Sequence, residues 1–92
     1  MPNHPMQSHA QALNDISAQL ARQLGRRLRV MRSRASLSQE ALSSLSGITR
    51  SQICLIEVGR VVPTVRTLVR IASALKISLV DLVCGVAVEV TH

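Results

Sequence analysis

The chain has 92 residues, eleven Lys and Arg against five Asp and Glu, a formal net charge of +6, and no Phe, Tyr or Trp. That length bounds it to one small domain in which roughly 60–65 residues must carry the core. The missing aromatic rings remove the base-stacking platforms of single-strand and RNA binders, and leave a core of Leu, Ile, Val, Ala and Met.

Ten of the eleven cations are Arg, whose planar fork suits phosphates and base edges. Such a balance favours a polyanionic partner, with a merely solvated basic surface as the alternative. Cys54 and Cys84 show neither zinc spacing nor a Cys-x-x-Cys. A reduced compartment follows, with both thiols serving as small apolar packing groups. A redox role for Cys54, one turn beyond Arg50, is the competing reading. The start, MPNHPMQSHAQ, has no basic stretch leading into an apolar run, and no later run approaches a membrane span. The expected location is the cytoplasm.

In chain order, residues 1–14 read as a mobile N-terminal tail carrying two prolines. His4 and His9 stand five apart with no third ligand, so no metal site is expected. Ser8 with Gln11 and, further on, Asp15 are the two candidate starts of a first helix. Leu13, Ile16, Leu20, Leu24, Leu28 and Met31 recur every three or four residues. This predicts one long amphipathic helix ending near Ser33. Gly25 within it marks a close packing point. Arg22, Arg26, Arg27 and Arg29 flank the stripe and should be exposed, for phosphate, for solvent, or for lipid if this helix lies on a membrane.

A second helix is predicted after Ser38 as N-cap, with Glu40 in its first turn and Leu37, Ala41, Leu42 and Leu45 on its apolar face. Gly47 ends it, and Ile48 plugs the turn. Thr49 with Gln52 opens a third helix whose inner residues are Ile53 and Ile56, closed by Gly59. Helix, glycine turn, helix in about twenty residues is the pattern whose second helix enters the DNA major groove. After Pro63, Thr64 caps a fourth helix with apolar Val65, Leu68, Val69, Ile71, Ala72 and Leu75. Ser78 and Asp81 open a fifth, with Leu79, Leu82 and Val83, stopped by Gly85. Residues 15–84 thus form the domain. In the C-terminal segment 85–92, Val86, Val88 and Val90 alternate as a strand does, to fray or to pair with the same segment of a second subunit.

The run LGRRLRVMRS…LSQEALSSLSGITRSQICLIEVGRVVPTVRTLVRIASALKISLVDLV resembles the lambda-repressor-like helix-turn-helix domains of the Cro/C1 or XRE type. The likeness spans Leu24 to Val83. It rests on Ser38-Gln39-Glu40, Gly47-Ile48, Glu57-x-Gly59, Pro63-Thr64 and Ile71-Ala72-x-Ala74-Leu75. The resemblance implies an all-α fold, a compact five-helix lambda-repressor-like bundle, with a short C-terminal strand as an option. It implies a homodimer on double-stranded DNA with a palindromic operator, the third helix lying in the major groove. Arg50, Ser51 and Leu55 would then read bases. Gln39 would brace the phosphate backbone and the third helix, and Arg32 and Glu57 would form an internal ion pair. Beside Arg50, the short polar groups Thr49 and Gln52, the loop cation Arg60 and the helix start at Thr64 are placed for phosphates. Leu79, Val83, Val86, Val88 and Val90 would form the dimer interface. Cys54, Leu55, Val58, Val61 and Val62 depart from the family by being apolar where it is commonly polar or basic.

Two functions follow from these residues. The first is a sequence-specific transcriptional regulator, a repressor in the commonest case. The second is an antitoxin that binds a toxin protein and represses its own operon, suggested by the apolar Leu55, Val61 and Val62 and by the VAVEV tail. No acid pair, nucleophile–base set or phosphate loop points to an enzyme, and no cofactor is implied.

Overall fold

The computed structural model describes residues 5–86, with side chains from residue 9 onward. Five helices follow in order: α1 (Pro5–Arg34), α2 (Gln39–Ser46), α3 (Arg50–Glu57), α4 (Val65–Leu75) and α5 (Leu79–Val83). Four of them start on short hydroxyl side chains. Ser38 Oγ accepts from the Ala41 N–H, Thr49 Oγ1 from Gln52, Thr64 Oγ1 from Thr67 and Ser78 Oγ from Asp81, at 3.0–3.1 Å. Each cap satisfies a donor that the helix itself leaves unpaired, for about 1 kcal/mol. The α2–α3 turn is equally defined. Gly47 takes φ 75° and its N–H reaches the Ser43 carbonyl, while buried Ser46 accepts from the Ile48 N–H at 3.1 Å.

These caps aim the helices, and burial holds them together. Leu28, Leu42, Ile48, Ile53, Ile56, Ile71, Ala72, Leu75 and Leu82 form one core, drawn from all five helices and from the turn. Each large aliphatic side chain gains roughly 1.5–3 kcal/mol over exposure, more than any single cap. α1 packs on α3 and α5, α2 on α3 and α4, and α4 on α5. Gly25 sets the closest approach: a Cβ there would lie 2.3 Å from the Ile56 carbonyl oxygen and 2.8 Å from that of Glu57. Only glycine lets α1 and α3 meet backbone to backbone at this point.

The fold is the all-α five-helix bundle that the resemblance implies, and no strand occurs among the described residues. Several details differ from the expectations. The boundary expected at residue 15 falls inside α1, which begins at Pro5. Proline suits a first helical turn, Met6, Gln7, Ala10, Gln11, Ala12 and Leu13 are good helix formers, and the Gln11 amide donates to Asp15 one turn on at 3.1 Å. Leu45, Val65 and Val69, expected inside, are exposed. Their helices are covered over a narrower arc than the apolar stripe is wide. Cys54 and Cys84, expected to pack as small apolar groups, are also exposed. Ile53 and Ile56 take the inner arc of α3, which leaves position 54 outside.

The molecule measures 52 × 24 × 19 Å and has a radius of gyration of 15.2 Å, against about 12 Å for a compact chain of this length. The excess is the first half of α1. No described residue before Ala21 is buried.

Candidate nucleic-acid interface

The outward face of α3 follows from its inward one. With Ile53 and Ile56 sunk in the core, Arg50, Ser51, Cys54 and Leu55 point away from it, and all four are exposed. Thr49 and Gln52 beside them are exposed too, although the Thr49 hydroxyl and the Gln52 N–H are joined by the cap. Arg60 and Thr64 lie exposed in and after the following loop. Leu55 is 44% exposed, and Val58 and Val62 continue an apolar margin beyond it. Val61 is half-buried against the core.

The other end of α3 is locked. Arg32 Nε donates to Glu57 Oε2 at 2.7 Å and Nη2 to Oε1 at 3.0 Å, a bidentate pair. Its remaining Nη1 donates to the Leu37 carbonyl at 2.7 Å, and Gln39 Nε2 donates to Glu57 Oε1 at 3.2 Å. One carboxylate, only 4% exposed, thus joins the end of α1, the start of α2 and the last residue of α3. The hydrogen bond to Glu57 raises the Arg32 pKa above the ordinary arginine range against the opposing pull of burial, with a smaller push from the charge of the carboxylate. Because the folded value lies above the unfolded one, the pair's contribution is whole below that range and fades only above it. Gln39 therefore braces the third helix, the inward one of the two roles the resemblance implies for it.

Sequence reasoning missed Arg27. Expected to be exposed with its neighbours, it is partly buried, and donates through Nε to the Leu82 carbonyl at 3.3 Å and through Nη2 to that of Asp81 at 2.8 Å. A cation on the last carbonyls of α5 complements the negative helix end. The only signal in the sequence was its position beside Leu28 on the flank of the stripe. Of the expected dimer residues, Leu79, Val83 and Val86 are half-buried, and Val88 and Val90 lie outside the described residues. Val80, not singled out from the sequence, is 72% exposed. Among the described residues no helix is long and apolar enough to cross a membrane.

A capped, carboxylate-locked helix pair presenting the start of its second member outward defines a helix-turn-helix domain. A family model described as "Helix-turn-helix domain" matches residues 23–83, and the chain belongs to that family, in its Cro/C1-like branch. Among solved structures, the restriction-modification controller protein C.AhdI from Aeromonas hydrophila is 35% identical with a TM-score of 0.66; the match covers 67% of this chain and 94% of that one. A crystal structure described as an HTH_3 family transcriptional regulator from Vibrio cholerae is 29% identical with a TM-score of 0.72, over 75% of this chain and 39% of that one. The chain thus corresponds to less than half of the Vibrio protein. No curated protein matches it.

Proposed function

We propose that this protein is a sequence-specific double-stranded DNA-binding transcriptional regulator, a repressor that acts as a homodimer on a palindromic operator. One observation carries the reading: Arg50 and Ser51 stand exposed on the first turn of a helix whose far end is locked through Glu57. In the major groove Arg50 would fork onto guanine O6 and N7, Ser51 would meet a neighbouring edge, and Leu55 would contact a thymine methyl. Thr49, Gln52, Arg60, Gln39 and the N-terminus of α4 at Thr64 would hold the phosphates on either side. A single short helix reads few bases, so two copies are needed for useful specificity. Leu79, Val83 and Val86, with Val88 and Val90 beyond them, supply the dimer surface. The likeness to a controller protein over nearly all of that protein's length supports a regulator of this size. Its place of work would be the cytoplasm.

The test is binding to genome-selected fragments at several salt concentrations. Specific binding should persist where non-specific binding fades. Arg50→Ala should weaken the selected site far more than random DNA. Equal losses on both would remove Arg50 from base reading.

The exposed margin of Leu55, Val58 and Val62 supports a second reading, in which the chain also binds a toxin protein and represses its own operon. Co-purification of a small partner whose binding is lost in Val58→Glu would favour it.

A further inference from the structure

The first half of α1 adds no buried side chain to the domain that follows it. The family match begins at residue 23, whereas α1 begins at Pro5. Residues 5–20 span about 24 Å of helix at 1.5 Å per residue. None of those with described side chains is buried. A helix this long is marginal in water without a packed face. Yet it carries an apolar line: Leu13 is 51% exposed, with Ile16 and Leu20 half-buried on the same side. With His9, the spacing is four, three, four, the interval of a helix that pairs with another helix. The flanking positions are Ala10, Ala12, Ser17 and Gln19, small or uncharged.

Charge selects the occupant. Every Lys and Arg lies at residue 22 or beyond, and Asp15 is the only charged side chain before it apart from the histidines. Asp15 accepts from Gln11 in its own helix and sits off the apolar line. A stretch without cations has nothing to hold DNA or an anionic lipid surface. It also offers no repulsion to a copy of itself. We propose that the N-terminal half of α1 pairs with the same segment of a second copy of this chain, antiparallel.

The direction follows from the fold. The line of Leu13, Ile16 and Leu20 runs straight into Leu24, Leu28 and Met31, which face the core. The body of the domain therefore lies on the apolar side, at the C-terminal end. A parallel pair would drive the two bodies into each other. An antiparallel pair sets them at opposite ends, each against the tip of the other's helix. This surface is separate from the one proposed around Val83. The two together would join dimers on neighbouring sites.

The experiment is sedimentation of the full chain over a range of concentrations, comparing the parent with Leu13→Glu, with Ala18→Glu on the opposite side of α1, and with Val83→Glu. The parent and Ala18→Glu should share one mass, and Leu13→Glu should lose one doubling of it. The melting temperature of Leu13→Glu should be unchanged once extrapolated to low concentration, since Leu13 touches no core. If Leu13→Glu goes to monomer, the α1 pairing stands and the Val83 surface fails. If only Val83→Glu lowers the mass, the α1 pairing is overturned and the DNA-binding reading is untouched. A parent that is monomeric throughout overturns it as well, and assigns the stripe to a different protein.

Discussion

Residues 39–57 and residues 5–20 are stretches of similar length, both helical and both striped with aliphatic side chains, but built to different ends. In the first, short side chains start both helices, Gly47 turns between them, and Leu42, Ile48, Ile53 and Ile56 are all buried. Glu57 is then tied to the end of α1 and the start of α2 by the bonds from Arg32 and Gln39. In the second, Gln11 donates to Asp15 within the same helix, and no described side chain is buried. Periodicity makes a helix in both. A facing surface makes only the first of them part of a domain, and that part is the one that holds Arg50 outward.

This contrast can be broken or sharpened by substitution. The largest effect is expected at Gly25→Val, where the added carbons meet the Ile56 and Glu57 carbonyls at less than contact distance. A loss of about 4–5 kcal/mol, or failure to fold, should appear in urea melts. A glycine-to-valine exchange has no counterpart of that size in residues 5–20. Next, Arg32→Met should cost about 3 kcal/mol, because it leaves the Glu57 carboxylate buried with Gln39 alone. A loss under about 1 kcal/mol would show that α3 does not depend on the lock. Arg50→Ala should leave the melting temperature unchanged and weaken the selected DNA site by about 1–3 kcal/mol, read by titration. Thr49→Ala should cost about 1 kcal/mol of stability through the lost α3 cap. Smallest of all, Leu13→Ala should change the stability of the isolated domain by less than about 0.5 kcal/mol, measured at low concentration. A loss like that of a core leucine would mean the two stretches are not so different.

Much of the helix-turn-helix was legible because its signals are local. Ser38, Thr49, Thr64 and Ser78 were each read as caps from residues within one turn, and each accepts the bond such a cap should. Gly47 and Ile48 were read the same way. The close approach at Gly25 could be suspected from a glycine inside a helix, but the backbone it meets, some thirty residues further on, could not. Leu45, Val65 and Val69 look inner in the sequence yet are exposed, because an apolar stripe does not state how much of its width a neighbour will cover. Arg27 looks like a surface cation in the sequence because its acceptors are carbonyls 54 and 55 residues away. The assignment of base-reading residues came from the resemblance. Periodicity alone located α3 and its inner face, and the outer face follows by subtraction.

Taken alone, the order of residues determined where helices begin, turn and end, because caps, glycine geometry and i to i+4 spacing act within a few positions. It also determined the chemistry on offer: Arg-rich, without aromatics, and without a cation in the first twenty-one residues. Tertiary structure alone decided which apolar stripes are core, which arginines are struts, and that three segments converge on Glu57. Those outcomes depend on contacts between residues far apart in sequence, where burial and pairing set the energies and local propensity has no say.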